Sequence, residues 1–121
     1  MQKKVLIVED YKDTRSFMKL LVESYGYMVV EATDGIEAFE EFKKQHPDLV
    51  LMDISLPMVD GLTATRAIRE INGKEQVPII AITAFGKIYY KQAIEAGCND
   101  LIDKPVDLDV LEPVLRHYLG Q

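Results

Sequence analysis

The chain has 121 residues, which fits one domain that buries roughly two thirds of the surface of the unfolded chain. Its formal net charge of −6 at pH 7 opposes direct binding to nucleic acid, whose phosphates such a surface repels. No apolar run approaches the ~20 residues of a membrane-spanning helix, and a single cysteine without a signal-peptide pattern at the N-terminus predicts a cytoplasmic protein that does not insert into membranes.

Five apolar segments have the length and composition of β-strands. Three of them are continuous apolar runs, typical of parallel strands that are covered on both faces, and a fourth is weaker, as expected at a sheet edge. In chain order we expect the strands at residues 5–8, 27–31, 49–52, 78–82 and 100–102. The weaker run is the second of these, and the last strand is short.

Helical patterns follow each of the five strands. Their apolar residues recur at spacings of three and four, and glycine or proline follows several of them. In chain order we expect the helices over about 13–25, from 34 to before 47, over about 61–71 and 87–96, and after 107. The first helix should turn four residues toward the core: Phe17, Leu20, Leu21 and Tyr25. The fifth contains Pro113, which removes a hydrogen bond and can kink a helix.

The alternation of strands and helices predicts the fold class. Five repeats of strand and helix favour one parallel sheet with right-handed crossovers and helices on both faces, a doubly wound α/β fold. Such sheets bind their ligands at the carboxyl ends of the strands, near the point where the strand order reverses. The candidate functional residues are therefore those that follow the strands.

Charged and hydroxyl side chains follow four of the predicted strands. They are Glu9 with Asp10, then Asp53, Thr83 and Lys104. At about 4 Å and an effective dielectric near 20, each pair of like charges costs on the order of 4 kcal/mol, so converging carboxylates need a cation. Oxygen ligands favour a hard ion, and Mg²⁺ fits best because it combines one or two carboxylates with water and phosphate oxygens. An aspartate beside such a metal can act as a nucleophile and form an acyl phosphate, which makes Asp53 the candidate.

The order and spacing of these motifs resemble those of response-regulator receiver domains. The motifs are VLIVED for the acidic pair, LVLMDISLPMVDG around Asp53, PIIAITA for Thr83 and DKP for Lys104. The resemblance covers essentially the whole chain. It implies a flavodoxin-like, five-stranded parallel sheet of order 2-1-3-4-5 with five helices, and one receiver domain over residues 1–121 with no output domain.

The resemblance also implies a metal site. Mg²⁺, for which Mn²⁺ can substitute, would be held by Asp10, Asp53 and the backbone carbonyl of Ser55, and Glu9 would act on it through water. The loop beyond would be shaped by Leu56–Pro57 and Asp60–Gly61.

Three residues would handle the phosphoryl group. Asp53 would accept it, while Thr83 and Lys104 would each bind one of its oxygens, and the bond between Lys104 and Pro105 would be cis. The chain would then be a two-component or phosphorelay response regulator that catalyses only its own phosphorylation and dephosphorylation.

The expected partners are proteins. A histidine kinase or a histidine phosphotransfer protein would supply the phosphoryl group, with Arg15 and Met18 of the first helix as candidate docking residues. The phosphorylated chain, expected to be a monomer, would then bind a downstream protein target.

The chain also departs from the family pattern. Leu101 stands where the family commonly has an aromatic residue that turns inward on activation. Ser55 and Phe85 occupy positions that tune the loss of the phosphoryl group, and the bulk of Phe85 predicts a long-lived phosphorylated state. Of the neighbours Tyr89 and Tyr90, we expect one buried and one exposed.

Other functions remain open on the sequence. The chain can be the receiver segment of a hybrid histidine kinase or of a larger regulator, or a phosphate-independent interaction module. An aspartyl-phosphate phosphohydrolase is disfavoured because such enzymes place a second acid where this chain has Ser55. A nucleotide- or flavin-binding protein is disfavoured because Glu9 to Lys12 replace the glycine-rich or hydroxyl-rich phosphate loop.

Overall fold

A computed structural model describes residues 2–55, 60–72 and 76–120 of the chain. The strands are β1 Lys4–Val8, β2 Met28–Ala32, β3 Leu49–Asp53, β4 Ile79–Thr83 and β5 Asp100–Asp103. The helices are α1 Lys12–Ser24, α2 Gly35–Gln45, α3 Gly61–Asn72, α4 Gly86–Ala96 and α5 Leu108–Leu119. The expected turn at Leu56–Pro57 lies outside the described residues.

All five strands are parallel and form one sheet in the order β2-β1-β3-β4-β5. The expected fold class and strand order are therefore confirmed, and β2 lies at an edge as its weak apolar pattern predicted. The register places Val8 beside Met52, Asp53 beside Ile82 and Thr83 beside Asp103. The carboxyl ends of the four strands β1, β3, β4 and β5 consequently meet at one edge of the sheet.

The sheet has an apolar core on each face. In β3, Leu49 and Leu51 pack on the side covered by α1 and α5, whereas Val50 and Met52 pack on the opposite side. Every residue of β3 is buried. This explains the continuous apolar run in the sequence, because a central strand between two helical layers has no face in contact with water.

Capping residues define several helix ends. Asp34 accepts a hydrogen bond from the backbone N–H of Glu37 at 2.8 Å, and the Glu37 carboxylate accepts one from the N–H of Thr33 at 2.7 Å. This pairing is similar to a capping box, except that Glu37 accepts from the residue before the N-cap. Gly97, with φ 115°, ends α4 in the left-handed conformation that glycine favours.

The expected orientation of α1 is wrong at two positions. Phe17 is 51% exposed and Leu20 is 68% exposed, whereas Met18 and Val22 are buried. Apolar residues occupy two faces of this helix, so the spacings of three and four fit either face. The core selects the face with Met18 and Val22, against which Leu21 and Tyr25 pack as expected.

Two further expectations concern α4 and α5. Both Tyr89 and Tyr90 are exposed, so the predicted division into one buried and one exposed tyrosine is wrong; the buried residues of α4 are small. The α5 helix continues through Pro113, whose side chain is exposed, as is Asp109 one turn earlier. Pro113 has no N–H to donate to the backbone carbonyl of Asp109, and both residues lie on the exposed side of the helix. Among the described residues, no helix has both the length and the apolar character needed to span a bilayer.

Candidate functional site

Three carboxylates converge at the carboxyl edge of the sheet. One oxygen each from Glu9, Asp10 and Asp53 lies within 4.8 Å of the other two. Glu9 and Asp53 are buried, whereas Asp10 is exposed. The site thus has two buried carboxylates and one carboxylate that is exposed to solvent.

Asp53 is the last residue of β3 and is only 2% exposed. Its Oδ1 accepts a hydrogen bond from the backbone N–H of Ser55 at 2.8 Å, and its Oδ2 accepts one from Lys104 Nζ at 3.2 Å. The two oxygens therefore have different partners. The central strand fixes the backbone, and these two donors fix the carboxylate.

Glu9 follows β1 and is only 1% exposed. Its Oε2 accepts a hydrogen bond from the N–H of Tyr11 at 3.0 Å. Lys104 Nζ lies 3.0 Å from Oε1, so this buried oxygen is held in an ion pair with the ammonium. Burial raises the pKa of Glu9 and the nearby charge of Asp53 raises it further, whereas Tyr11 and Lys104 partly lower it.

Lys104 lies between the two buried acids. Its backbone N–H donates to the carbonyl of Thr83 at 2.8 Å, which links the end of β5 to the end of β4. The bond to Pro105 is cis. Burial by itself lowers the pKa of Lys104, but the hydrogen bonds and charges of Glu9 and Asp53 outweigh it, so the pKa is raised and the amine is charged at neutral pH.

The donor set fits a hard divalent cation. Three carboxylates lie close together, and Lys104 supplies one positive charge, which contacts Glu9 and Asp53. Carboxylate and water oxygens are the ligands that Mg²⁺ prefers, and its charge would offset the repulsion among the acids. Asp10, which is exposed, leaves the site open to an entering ion.

Thr83 and Ser55 lie at the same edge in different situations. Thr83 is fully buried, and its hydroxyl oxygen accepts a hydrogen bond from the N–H of Phe85 at 3.1 Å. Its side chain is thus engaged with the loop between β4 and α4. Ser55 is exposed, and its N–H holds Asp53; the role of its carbonyl as a metal ligand stays a prediction.

Sequence reasoning underestimated two glycines. A Cβ on Gly61, the first residue of α3, would overlap the backbone of Asp53 and Ile54, so α3 begins directly against the strand end that carries Asp53. The N–H of Gly86 donates to Asp103 Oδ1 at 3.0 Å, and a Cβ there would overlap that carboxylate. The Asp60–Gly61 pair was visible in the sequence only as a loop signal.

The expected docking residues of α1 need correction. Met18 is 1% exposed and packs in the core, so its assignment as a docking residue is wrong. The side chain of Arg15 is only 15% exposed and contacts Glu31 and Glu9. Phe17 is an exposed apolar residue beside the site, and it lines a hollow with Asp13, Thr14, Ala84, Lys104, Pro105 and Val106.

Known proteins are similar to this chain in sequence and in fold. The sequence model of one protein family, the response regulator receiver domain, matches residues 5–116. The chain is 36% identical to the polar-differentiation response regulator DivK of Brucella ovis, over 99% of this chain and 98% of that protein.

Solved structures of receiver domains superpose closely on this chain. One is the receiver domain of the sensor histidine kinase PA1611 from Pseudomonas aeruginosa, solved with a magnesium ion in its active-site cleft. It superposes with a TM-score of 0.91 at 34% identity, and all of both chains is covered. The receiver domain of Saccharomyces cerevisiae Ssk1, solved with the histidine phosphotransfer protein Ypd1, has a TM-score of 0.89 and 28% identity, with 97% of this chain and 88% of that chain covered. The chain therefore belongs to the response regulator receiver domain family of two-component signalling.

Proposed function

We propose that this receiver domain accepts a phosphoryl group on Asp53 in a Mg²⁺-dependent reaction. The observation that carries the proposal is the buried Asp53 carboxylate, which sits beside two further acids and in contact with Lys104. Burial keeps bulk water from the nucleophile, and the fixed donors orient it.

The transfer follows from the contacts of Asp53. A carboxylate oxygen attacks the phosphorus of a phosphohistidine, the bond from phosphorus to the imidazole nitrogen breaks, and the imidazole takes up a proton as it leaves. Ser55 N–H and Lys104 hold the carboxylate before the attack. Bound Mg²⁺, with Asp10, Asp53 and the Ser55 carbonyl as ligands and Glu9 acting through water, would neutralise charge on the transferred group.

Phosphorylation would change the charge at the buried end of β3. A phosphoryl group on a side chain carries about −1.5 to −2 charges. Lys104 is already charged and within reach of Asp53, so it would bind one phosphoryl oxygen. Thr83 would donate its hydroxyl proton to another, while its oxygen can still accept from the N–H of Phe85. The β4–α4 loop would then move with Thr83.

A protein with a phosphohistidine is the proposed donor. The hollow beside Lys104 combines the exposed ring of Phe17 with Ala84, Pro105 and Val106, an apolar surface next to the nucleophile. The Ssk1 receiver domain is found with a histidine phosphotransfer protein. A kinase or phosphotransfer protein docked here, in the cytoplasm, would place its phosphohistidine at Asp53, and the receiver would signal by contact with a downstream protein or another segment of a larger regulator.

The experiment is intact-mass measurement after incubation with acetyl phosphate and Mg²⁺. We expect one phosphoryl increment in the natural protein and none in Asp53→Asn or in a sample treated with a chelator. Asp48→Asn, which alters an aspartate at the amino end of β3, is the matched control and should label normally. An unlabelled natural protein would contradict the proposal and favour a phosphate-independent interaction module.

A further inference from the structure

Arg15 connects three elements behind the acidic pair. Its Nη1 donates to the backbone carbonyl of Glu9 at 3.0 Å, and its Nε donates to Glu31 Oε1 at 3.1 Å. Glu31 lies in β2 directly beside Ile7 of β1. The guanidinium therefore joins α1, the edge strand β2 and the turn that follows β1.

The bond to the Glu9 carbonyl acts on the next residue as well. A peptide group is planar, so the C=O of Glu9 and the N–H of Asp10 share one rigid plane. The N–H of Glu9 is itself fixed to the carbonyl of Ala32 at 3.1 Å. Arg15 thus holds the carbonyl side of Glu9, in a turn that the bond from the Tyr11 N–H to Glu9 Oε2 also constrains.

We propose that Arg15 is a positioning residue for the metal site, which acts by fixing the peptide plane between Glu9 and Asp10. The inference rests on the proposed function, because it assigns Arg15 a part in Mg²⁺ binding without contact with the ion. Groups that orient metal ligands in this way typically contribute a factor of 10–100 to affinity.

The geometry separates this role from that of an ordinary surface ion pair. Lys19, one turn later on α1, also contacts Glu31, at 3.6 Å, but its side chain is 41% exposed, whereas that of Arg15 is 15% exposed. Of the two cations, Arg15 is the one that contacts Glu9. Only a planar guanidinium presents several donors in a fixed fork, as this double contact requires.

The test compares Arg15→Gln with Lys19→Gln, a matched control that removes the same charge from the same helix and from the same glutamate. We expect Arg15→Gln to weaken Mg²⁺ binding, measured by isothermal titration calorimetry, by roughly tenfold and Lys19→Gln by less than about twofold. In metal-free protein, the Glu9 and Tyr11 amides should exchange hydrogen faster in Arg15→Gln than in the natural protein, and Lys19→Gln should leave their exchange unchanged. Arg15→Lys, which keeps the charge but not the fork, should remain weakened.

Several outcomes would overturn the inference. Binding by Arg15→Gln that equals the natural protein would show that the contact does not position the ligands, and full recovery in Arg15→Lys would show that charge alone matters. Equal weakening in Lys19→Gln would assign the effect to Glu31. A natural protein that binds no Mg²⁺ would instead overturn the proposed function and this inference together, so the two failures are distinguishable.

Discussion

The two ends of the sheet treat their polar groups differently. At the amino end, Arg69 donates hydrogen bonds to the Gly97 carbonyl at 2.9 Å, the Val77 carbonyl at 2.7 Å and Asn99 Oδ1 at 2.7 Å. At the carboxyl end, three carboxylates lie close together, and Lys104 contacts two of them, Glu9 and Asp53. The same fold therefore has one end whose polar groups are joined by hydrogen bonds and one end at which like charges lie close together.

The largest expected effect is at the amino end. Arg69→Ala removes the three hydrogen bonds that join α3 to the start of β4 and to the turn before β5, so the free energy of unfolding should fall by about 3 kcal/mol. Urea denaturation measures this loss. Arg116→Ala, which breaks an exposed pair with Glu112, is the control and should change stability by about 0.5 kcal/mol or less. Equal losses in the two variants would contradict the contrast between bonded and exposed arginines.

A methyl group at Gly61 should affect the carboxyl end. The new Cβ would press on the backbone of Asp53, and a displacement of reacting groups by about 1 Å can cost roughly a hundredfold in rate. We expect Gly61→Ala to slow labelling by acetyl phosphate by about that factor, measured by intact mass over time. Gly26→Ala, where a Cβ meets open space but φ is 93°, should lower stability and leave the labelling rate unchanged.

We expect a smaller effect from a substitution in the hollow beside the site. Phe17→Ala removes an exposed apolar ring without touching Asp53, so transfer from a phosphorylated partner protein should fall by about tenfold while labelling by acetyl phosphate is retained. Rapid-mixing transfer assays give the first rate. Ile36→Ala on α2, also an exposed apolar residue, is the control. Equal reductions with both donors would show that Phe17 supports the site itself and not docking.

The smallest expected effect concerns the charge of Glu9. The pKa of Glu9 is raised in the folded protein, so the folded protein binds the Glu9 proton more tightly than the unfolded chain does. The stability that this protonation contributes is present below the pKa of the unfolded chain and is lost as pH rises through the pKa of the folded protein. Glu9→Gln should therefore increase stability without metal by more at pH 7 than at pH 4, while weakening Mg²⁺ binding. Urea denaturation at both pH values checks the sign; a stability gain that shrinks with pH would contradict it.

The central strands were predictable because their environment is nearly uniform. The run Leu49–Met52 is apolar at every position, which indicates a strand buried on both faces and places Asp53 at its end. The orientation of α1 was not predictable in the same way, since Phe17 and Leu20 fit the helical period as well as Met18 and Val22 do. Only the packing of the whole domain decides between the two faces.

The candidate site shows the same division. Its acids and its lysine follow strands whose ends are readable in the sequence, so their approach follows from the fold. The contacts of Arg15 with Glu31 and with a backbone carbonyl carry no sequence signal, because they depend on side-chain direction across two strands. The close contact of Gly61 with Asp53 likewise depends on where α3 begins against the sheet.

Asp53 ends a strand that contributes side chains to both cores. Apolar side chains pack against both faces of β3, so this strand cannot shift without disturbing the packing of both layers. Thr83 also ends a buried strand, but its hydroxyl is bonded to the loop between β4 and α4, and Lys104 follows the end of β5. We therefore expect a change of charge at Asp53 to move the loops beside it before it moves the sheet.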